Sequence, residues 1–149
     1  MPSAQAEHLV GIARDFHTRL SAYYHRLAGQ TANTRLQLVL SHLSEQEARL
    51  STTLSECVRD THQAVLTQWL KFPPTLRLPD LQKNPLSDPG CIPDDVVLLS
   101  QRMDRVLATM FAEAARGEVS SEVRELFESL VALEQATEQQ TASCTTCAT

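Results

Sequence analysis

Two stretches of this chain, 87 residues apart, decide its fold. Residues 16–47 read FHTRLSAYYHRLAGQTANTRLQLVLSHLSEQE, and residues 103–134 read MDRVLATMFAEAARGEVSSEVRELFESLVALE. The two stretches align without a gap, so that Leu20 matches Leu107 and Leu40 matches Phe127. In both, apolar residues recur at steps of three and four, the spacing that places them on one side of a helix. The repeat therefore predicts two helical hairpins with the same length and the same loop.

Helix start and stop signals extend these hairpins beyond the repeat itself. Asn33 or Thr34 is suited to capping the second helix, and Ser120 or Ser121 to starting the fourth. Asp94 and Asp95 favour the start of the third, because acidic side chains stabilise a helix N-terminus. The four predicted helices cover residues 4–28, 34–60, 94–116 and 120–140.

A proline-rich segment separates the two predicted hairpins, which cover residues 4–60 and 94–140. Six of the seven prolines lie within residues 73–93, a density that excludes a continuous helix because proline removes a backbone donor. We expect an ordered crossover there, without regular strand. Residues 1–140 would then form one domain and residues 141–149 a flexible tail, because no apolar stripe continues into them.

The composition agrees with a single helical domain. Of the 149 residues 42% are hydrophobic and 21% are charged, which is typical of a globular protein and far from disorder. Glycine is scarce, and the chain holds only four Phe, two Tyr and one Trp. Such a composition favours helix over β-structure, so the predicted fold class is all-α.

Charge and hydropathy limit the expected partners. The net charge is −5 with both signs interspersed, so no basic stripe is present to contact nucleic acid. No apolar run approaches the roughly 20 residues that cross a bilayer, and the first residues lack the basic and apolar regions of a signal peptide. We therefore expect a cytoplasmic protein without a nucleic-acid or membrane partner.

Four cysteines are too few and too unevenly placed to staple a domain of this size: Cys57, Cys91, Cys144 and Cys147. Cys57 is predicted to be a reduced thiol on the second helix, and the two tail cysteines to be accessible. Their two-residue gap occurs in metal and dithiol sites, but no second ligand pair or strand-helix context accompanies it. We predict no metal or redox role for the tail.

Two short hairpins joined by one long crossover describe a four-helix bundle. Within the first hairpin, Tyr23-Tyr24-x-x-Leu27-Ala28 is followed by a leucine-rich stretch and by Glu45-x-Glu47. This order resembles the hairpin of the rubrerythrin and ferritin-like families, and the likeness covers approximately residues 5–55 and 94–138. It implies a ferritin-like four-helix bundle.

The resemblance also indicates where a metal would lie. Di-iron members take one Glu from each of two helices and a Glu-x-x-His pair from each of the other two. Glu47 and Glu134 match the Glu of the two pairs. The remaining positions lack the expected ligands, with Leu50 and Thr137 in place of His and with Phe16 and Met103 in place of Glu. The resemblance thus implies a bundle that has lost its di-iron centre.

One alternative ligand set remains open. His17 and Asp104 form another pair 87 residues apart, so His17, Glu47, Asp104 and Glu134 together could hold iron or manganese. On a helical wheel, however, His17 and Asp104 fall about 80–100° from the centres of their apolar stripes. We therefore predict that both are flanking or exposed, like the other histidines, and that the chain binds no metal or other cofactor.

The remaining expectations concern the glutamates and the function. Buried carboxylates need partners, and Tyr24 and Arg14 are the candidates for Glu47 and Glu134. With no catalytic residue predicted, the chain is expected to be a non-catalytic binding or structural module. Self-association or a protein partner would use large anchors: Tyr23, Tyr24, Met110 and Phe111. The alternative is a metal-dependent oxidoreductase or iron-handling protein with a depleted di-metal site.

Overall fold

The computed structural model describes residues 4–71, 74, 78, 80–86 and 90–143. Helices dominate this part of the chain: α1 (Ala6–Gln30), α2 (Thr34–Asp60), α3 (Gln63–Leu66), α4 (Pro93–Arg116) and α5 (Ser121–Ala142). Two short strands, β1 (Ala4–Gln5) and β2 (Trp69–Leu70), pair in an antiparallel arrangement, and a 3-10 turn covers Leu81–Lys83. The all-α prediction is confirmed.

Local capping explains where the long helices begin. The Asn33 side-chain oxygen accepts from the Leu36 amide at 3.1 Å, and the Ser120 hydroxyl accepts from the Val123 amide at 3.2 Å. Pro93 opens α4, at a position where the missing backbone N–H leaves no helical hydrogen bond unmade. The Asp95 carboxylate accepts from the backbone amide of Ile92 at 2.9 Å. Corresponding helices start 87 residues apart, as in the sequence repeat: α1 and α4 start at residues 6 and 93, and α2 and α5 start at residues 34 and 121.

The start of the chain differs from expectation. Residues 4 and 5, predicted as helix, form β1 against β2, where Ala4 pairs with Leu70. After Asp60 the chain continues into α3 and β2. The described residues of the crossover contain the 3-10 turn and no strand, while residues 73, 75–77, 79 and 87–89 lie outside the described part.

The C-terminal helix is longer than predicted. It continues to Ala142, so the prediction that a flexible tail begins at Thr141 is wrong. The Thr141 side chain is fully buried, and its hydroxyl accepts from the side-chain Nε2 of Gln46 at 2.8 Å. Cys144 and Cys147 lie outside the described residues. Cys57 lies in α2 outside any disulfide, as predicted.

The long helices pack as two pairs around one apolar core. α1 lies along α2 and α4 lies along α5, and α2 also contacts α4. The crossover is fastened to α1 by Tyr23, whose hydroxyl donates to Asn84 Oδ1 at 2.7 Å and accepts from the Leu86 amide at 2.9 Å. None of the described helices is both long and apolar enough to cross a membrane.

The residues expected to anchor self-association are inside the protein. Tyr23, Tyr24, Met110 and Phe111 are at most 3% exposed, so their prediction as surface anchors is wrong. Within the described part of the chain, the exposed large apolar side chains are Leu38, Trp69, Ile92 and Leu98. Self-association itself remains a prediction.

Candidate metal centre

Four polar side chains meet in the core, one from each long helix. They are His17 on α1, Glu47 on α2, Asp104 on α4 and Glu134 on α5, and each is 0% exposed. The expected flanking or exposed positions of His17 and Asp104 are therefore wrong. The other four histidines are exposed, as predicted.

Heptad spacing explains this burial and was a signal available in the sequence. His17 lies seven residues after Val10 and seven before Tyr24, and both of these are buried. Asp104 lies in the same way between Val97 and Phe111, which are also buried. A helix with neighbours on two sides buries a wider sector than a single apolar stripe, so residues beside the stripe centre also face inward.

His17 is the partner of both glutamates. Its Nδ1 is hydrogen-bonded to Glu47 Oε2, and its Nε2 to Glu134 Oε1 at 2.8 Å. Neither candidate named from the sequence takes this role: the Tyr24 hydroxyl is hydrogen-bonded to neither glutamate, and Arg14 pairs with Asp15 at the surface. One imidazole thus ties α1 to α2 and to α5.

The charge on His17 follows from these contacts. Burial alone would lower its pKa, but the hydrogen bonds and negative charges of Glu134 and Glu47 outweigh burial and raise it to about 10. At neutral pH the ring is therefore an imidazolium that donates to both carboxylates. Burial also raises the pKa of Glu47, and its bond to His17 offsets part of that rise.

Asp104 has no such compensation. Neither of its carboxyl oxygens has a hydrogen-bond partner, although both are buried. Burial and the charges of Glu47 and Glu134 raise the pKa of Asp104 to about 9, so the metal-free protein keeps this acid protonated at pH 7. Among the other buried atoms of this region, Glu134 Oε2 also lacks a partner. Each such atom costs about 1–3 kcal/mol when it stays unsatisfied.

The donor set fits a single cation. One ligand atom from each of His17, Glu47 and Asp104 lies within 4.8 Å of the other two. Glu134 adjoins this group through its bond to His17. Two carboxylates and one imidazole, with the Glu134 carboxylate beside them, combine the oxygen ligands that suit Mn²⁺ with the nitrogen ligand that suits Fe²⁺.

The same region does not fit a di-iron centre. Leu50 and Thr137, where the Glu-x-x-His pattern would need histidine, are both buried. Leu50 has no ligand atom, and the Thr137 hydroxyl donates to the Leu133 carbonyl of its own helix at 2.9 Å. A second ion would therefore lack its imidazole ligands.

Comparison of the chain with protein-family models, with curated proteins and with solved structures gave no match. Function must therefore be inferred from the chain's own residues. Because His17, Glu47, Asp104 and Glu134 are completely shielded from solvent, the centre is suited to a buried ion and closed to an organic substrate.

Asp104→Asn is expected to stabilise the metal-free protein at alkaline pH. A folded-state pKa raised from 3.8 to about 9 means that the native state holds a proton that the unfolded state releases, so stability falls as pH rises through this window. The neutral amide removes this dependence, so the stability advantage of the variant over the unmodified protein should be larger at pH 8 than at pH 5, by at least about 1.4 kcal/mol, the equivalent of one pKa unit. Urea unfolding in EDTA at pH 5 and pH 8 measures the change. A lower stability of the variant at pH 8 would contradict the assignment.

Proposed function

We propose that this chain is a ferritin-like four-helix bundle that binds one divalent iron or manganese ion in its core. The observation that carries the proposal is the buried Asp104 carboxyl, which faces other acids without a hydrogen-bond partner. Such a group is costly in an otherwise apolar core unless a cation or donor meets it. A divalent ion would take the place of the protons that His17 and Asp104 carry in the metal-free protein, and its charge would then balance the carboxylates.

The pairing of the helices supports the bundle topology. α1 lies along α2 and α4 lies along α5, with start positions that preserve the 87-residue repeat. The four polar residues keep the same offset, since His17 corresponds to Asp104 and Glu47 to Glu134. A site made of two equivalent halves is what two packed hairpins of common origin would produce.

In this proposal the two functions considered from the sequence are partly combined. The enclosed site favours a non-catalytic role toward organic substrates, as in the first hypothesis. The ligand set favours the alternative, a metal-binding protein with a depleted site. When bound, iron or manganese would neutralise the carboxylates, join four helices and supply one-electron chemistry to small molecules able to reach the core.

Direct titration tests this function. Metal-free protein carrying Cys144→Ser and Cys147→Ser, which removes the tail thiols as ligands, is titrated anaerobically with Mn²⁺ and with Fe²⁺ in a calorimeter. We expect one ion per chain, confirmed by elemental analysis after gel filtration. Binding of two ions would contradict the single-cation site, and absence of binding by both metals would refute the proposed function.

A further inference from the structure

A sealed site needs a route for its ion. The side chains of His17, Glu47, Asp104 and Glu134 are all fully buried, so solvent contacts none of them. Any ion that binds must pass a residue that reaches both solvent and the cluster. Glu138 is such a residue.

Glu138 lies on α5 one turn after Glu134, on the same side of the helix. Its side chain is 21% exposed. Its backbone carbonyl accepts from the Gln101 side chain at 3.5 Å and its carboxylate accepts from Arg105, so Glu138 faces the part of α4 that carries Asp104. Glu138 is therefore a partly exposed carboxylate next to the buried site.

Arg105 holds this carboxylate in the metal-free protein. It follows Asp104 on α4, its side chain is 68% exposed, and its Nε donates to Glu138 Oε1. The guanidinium thus occupies the position at which a cation arriving from solvent would first meet a carboxylate. An exposed ion pair of this kind is weak and opens readily.

The surrounding helix end is also suited to opening. Only one turn of α5 follows Glu138 before Ala142. That turn is fastened through the bond from Gln46 to Thr141, next to Glu47. Helix ends open at lower free energy than helix centres, so this is the least costly place to expose the cluster.

Resting on the proposed function, we propose that Glu138 is the entry residue of the metal site, which captures a divalent cation at the surface and delivers it to Asp104 and Glu134, with Arg105 as the competing cation. Glu138 is then a kinetic residue rather than a member of the final ligand set. Its loss should slow loading and release alike and leave the equilibrium nearly unchanged.

Stopped-flow absorbance with Co²⁺ as the probe tests this role, because Co²⁺ bound by nitrogen and oxygen ligands absorbs visible light. Glu138→Gln is expected to slow both Co²⁺ loading and its extraction by EDTA by about tenfold, because an entry residue lowers one barrier that the ion crosses in both directions. The dissociation constant should change less than threefold. Glu138→Asp should restore most of the rate, and Arg105→Gln should load faster than the unmodified protein.

Glu125→Gln is the matched control, because it removes the same charge from an exposed position of the same helix. It should leave both rates unchanged. Unchanged rates in Glu138→Gln, or slower loading with unchanged release, would overturn the entry role. Failure of the unmodified protein to bind Co²⁺, Mn²⁺ or Fe²⁺ would instead overturn the proposed function, so the two failures are distinguishable.

Discussion

Replacement of His17 by glutamine should destabilise the metal-free protein by about 3–5 kcal/mol, the usual cost of removing one partner from a buried ion pair. The imidazolium is hydrogen-bonded to both the Glu47 and the Glu134 side chains, and its positive charge compensates theirs. Without it, two carboxylates stay in the core and must either remain charged or take up protons. The free energy of unfolding in urea and EDTA at pH 6 measures the loss.

The pH dependence gives this prediction a second readout. Because the folded-state pKa of His17 is raised from 6.5 to about 10, its contribution is complete below pH 6.5 and is lost as pH rises toward 10. The gap between the unmodified protein and His17→Gln should therefore narrow between pH 6 and pH 10.

Two further variants separate charge from packing. His25→Gln makes the same change at an exposed position of α1 and should alter stability by less than about 0.5 kcal/mol. The triple variant His17→Gln, Glu47→Gln, Glu134→Gln replaces the ion network by neutral amides and should recover much of the loss, since no uncompensated charge remains. A loss below about 1 kcal/mol for His17→Gln would show that His17 is not a buried imidazolium.

The second large effect is expected in metal affinity. The double variant Glu47→Gln, Glu134→Gln removes two anionic ligands and should weaken Mn²⁺ and Fe²⁺ binding by more than about 100-fold, beyond the 10- to 100-fold cost of losing an outer-shell partner. Calorimetric titration of the metal-free variant measures the change. The amide keeps the size of the side chain, so the cavity is preserved.

The matched control is Glu45→Gln, Glu125→Gln. These residues are exposed on the same two helices, α2 and α5, and their replacement removes the same total charge. The affinity of this control variant for Mn²⁺ and Fe²⁺ should equal that of the unmodified protein. Equal affinities in both double variants would place the bound metal elsewhere in the chain.

Much of the fold could be predicted from the sequence because it depends on local signals. Apolar residues at three- and four-residue steps, Asn33 and Ser120 as caps, and the prolines before α4 set the long helices to within about two residues. The strands β1 and β2 could not be predicted this way, since each has two residues and exists only because a distant segment supplies its partner.

The candidate site, too, was predictable in part from the sequence and in part only from the tertiary structure. The sequence by itself determined that Glu47 and Glu134 occupy equivalent positions within apolar stripes, and that His17 and Asp104 share the same 87-residue offset. Only the tertiary structure decided that His17 and Asp104 are buried and that the imidazole bridges two glutamates from different helices. The physical reason is that periodicity reports the face of one helix, whereas the width of the buried sector depends on how many neighbours pack against it.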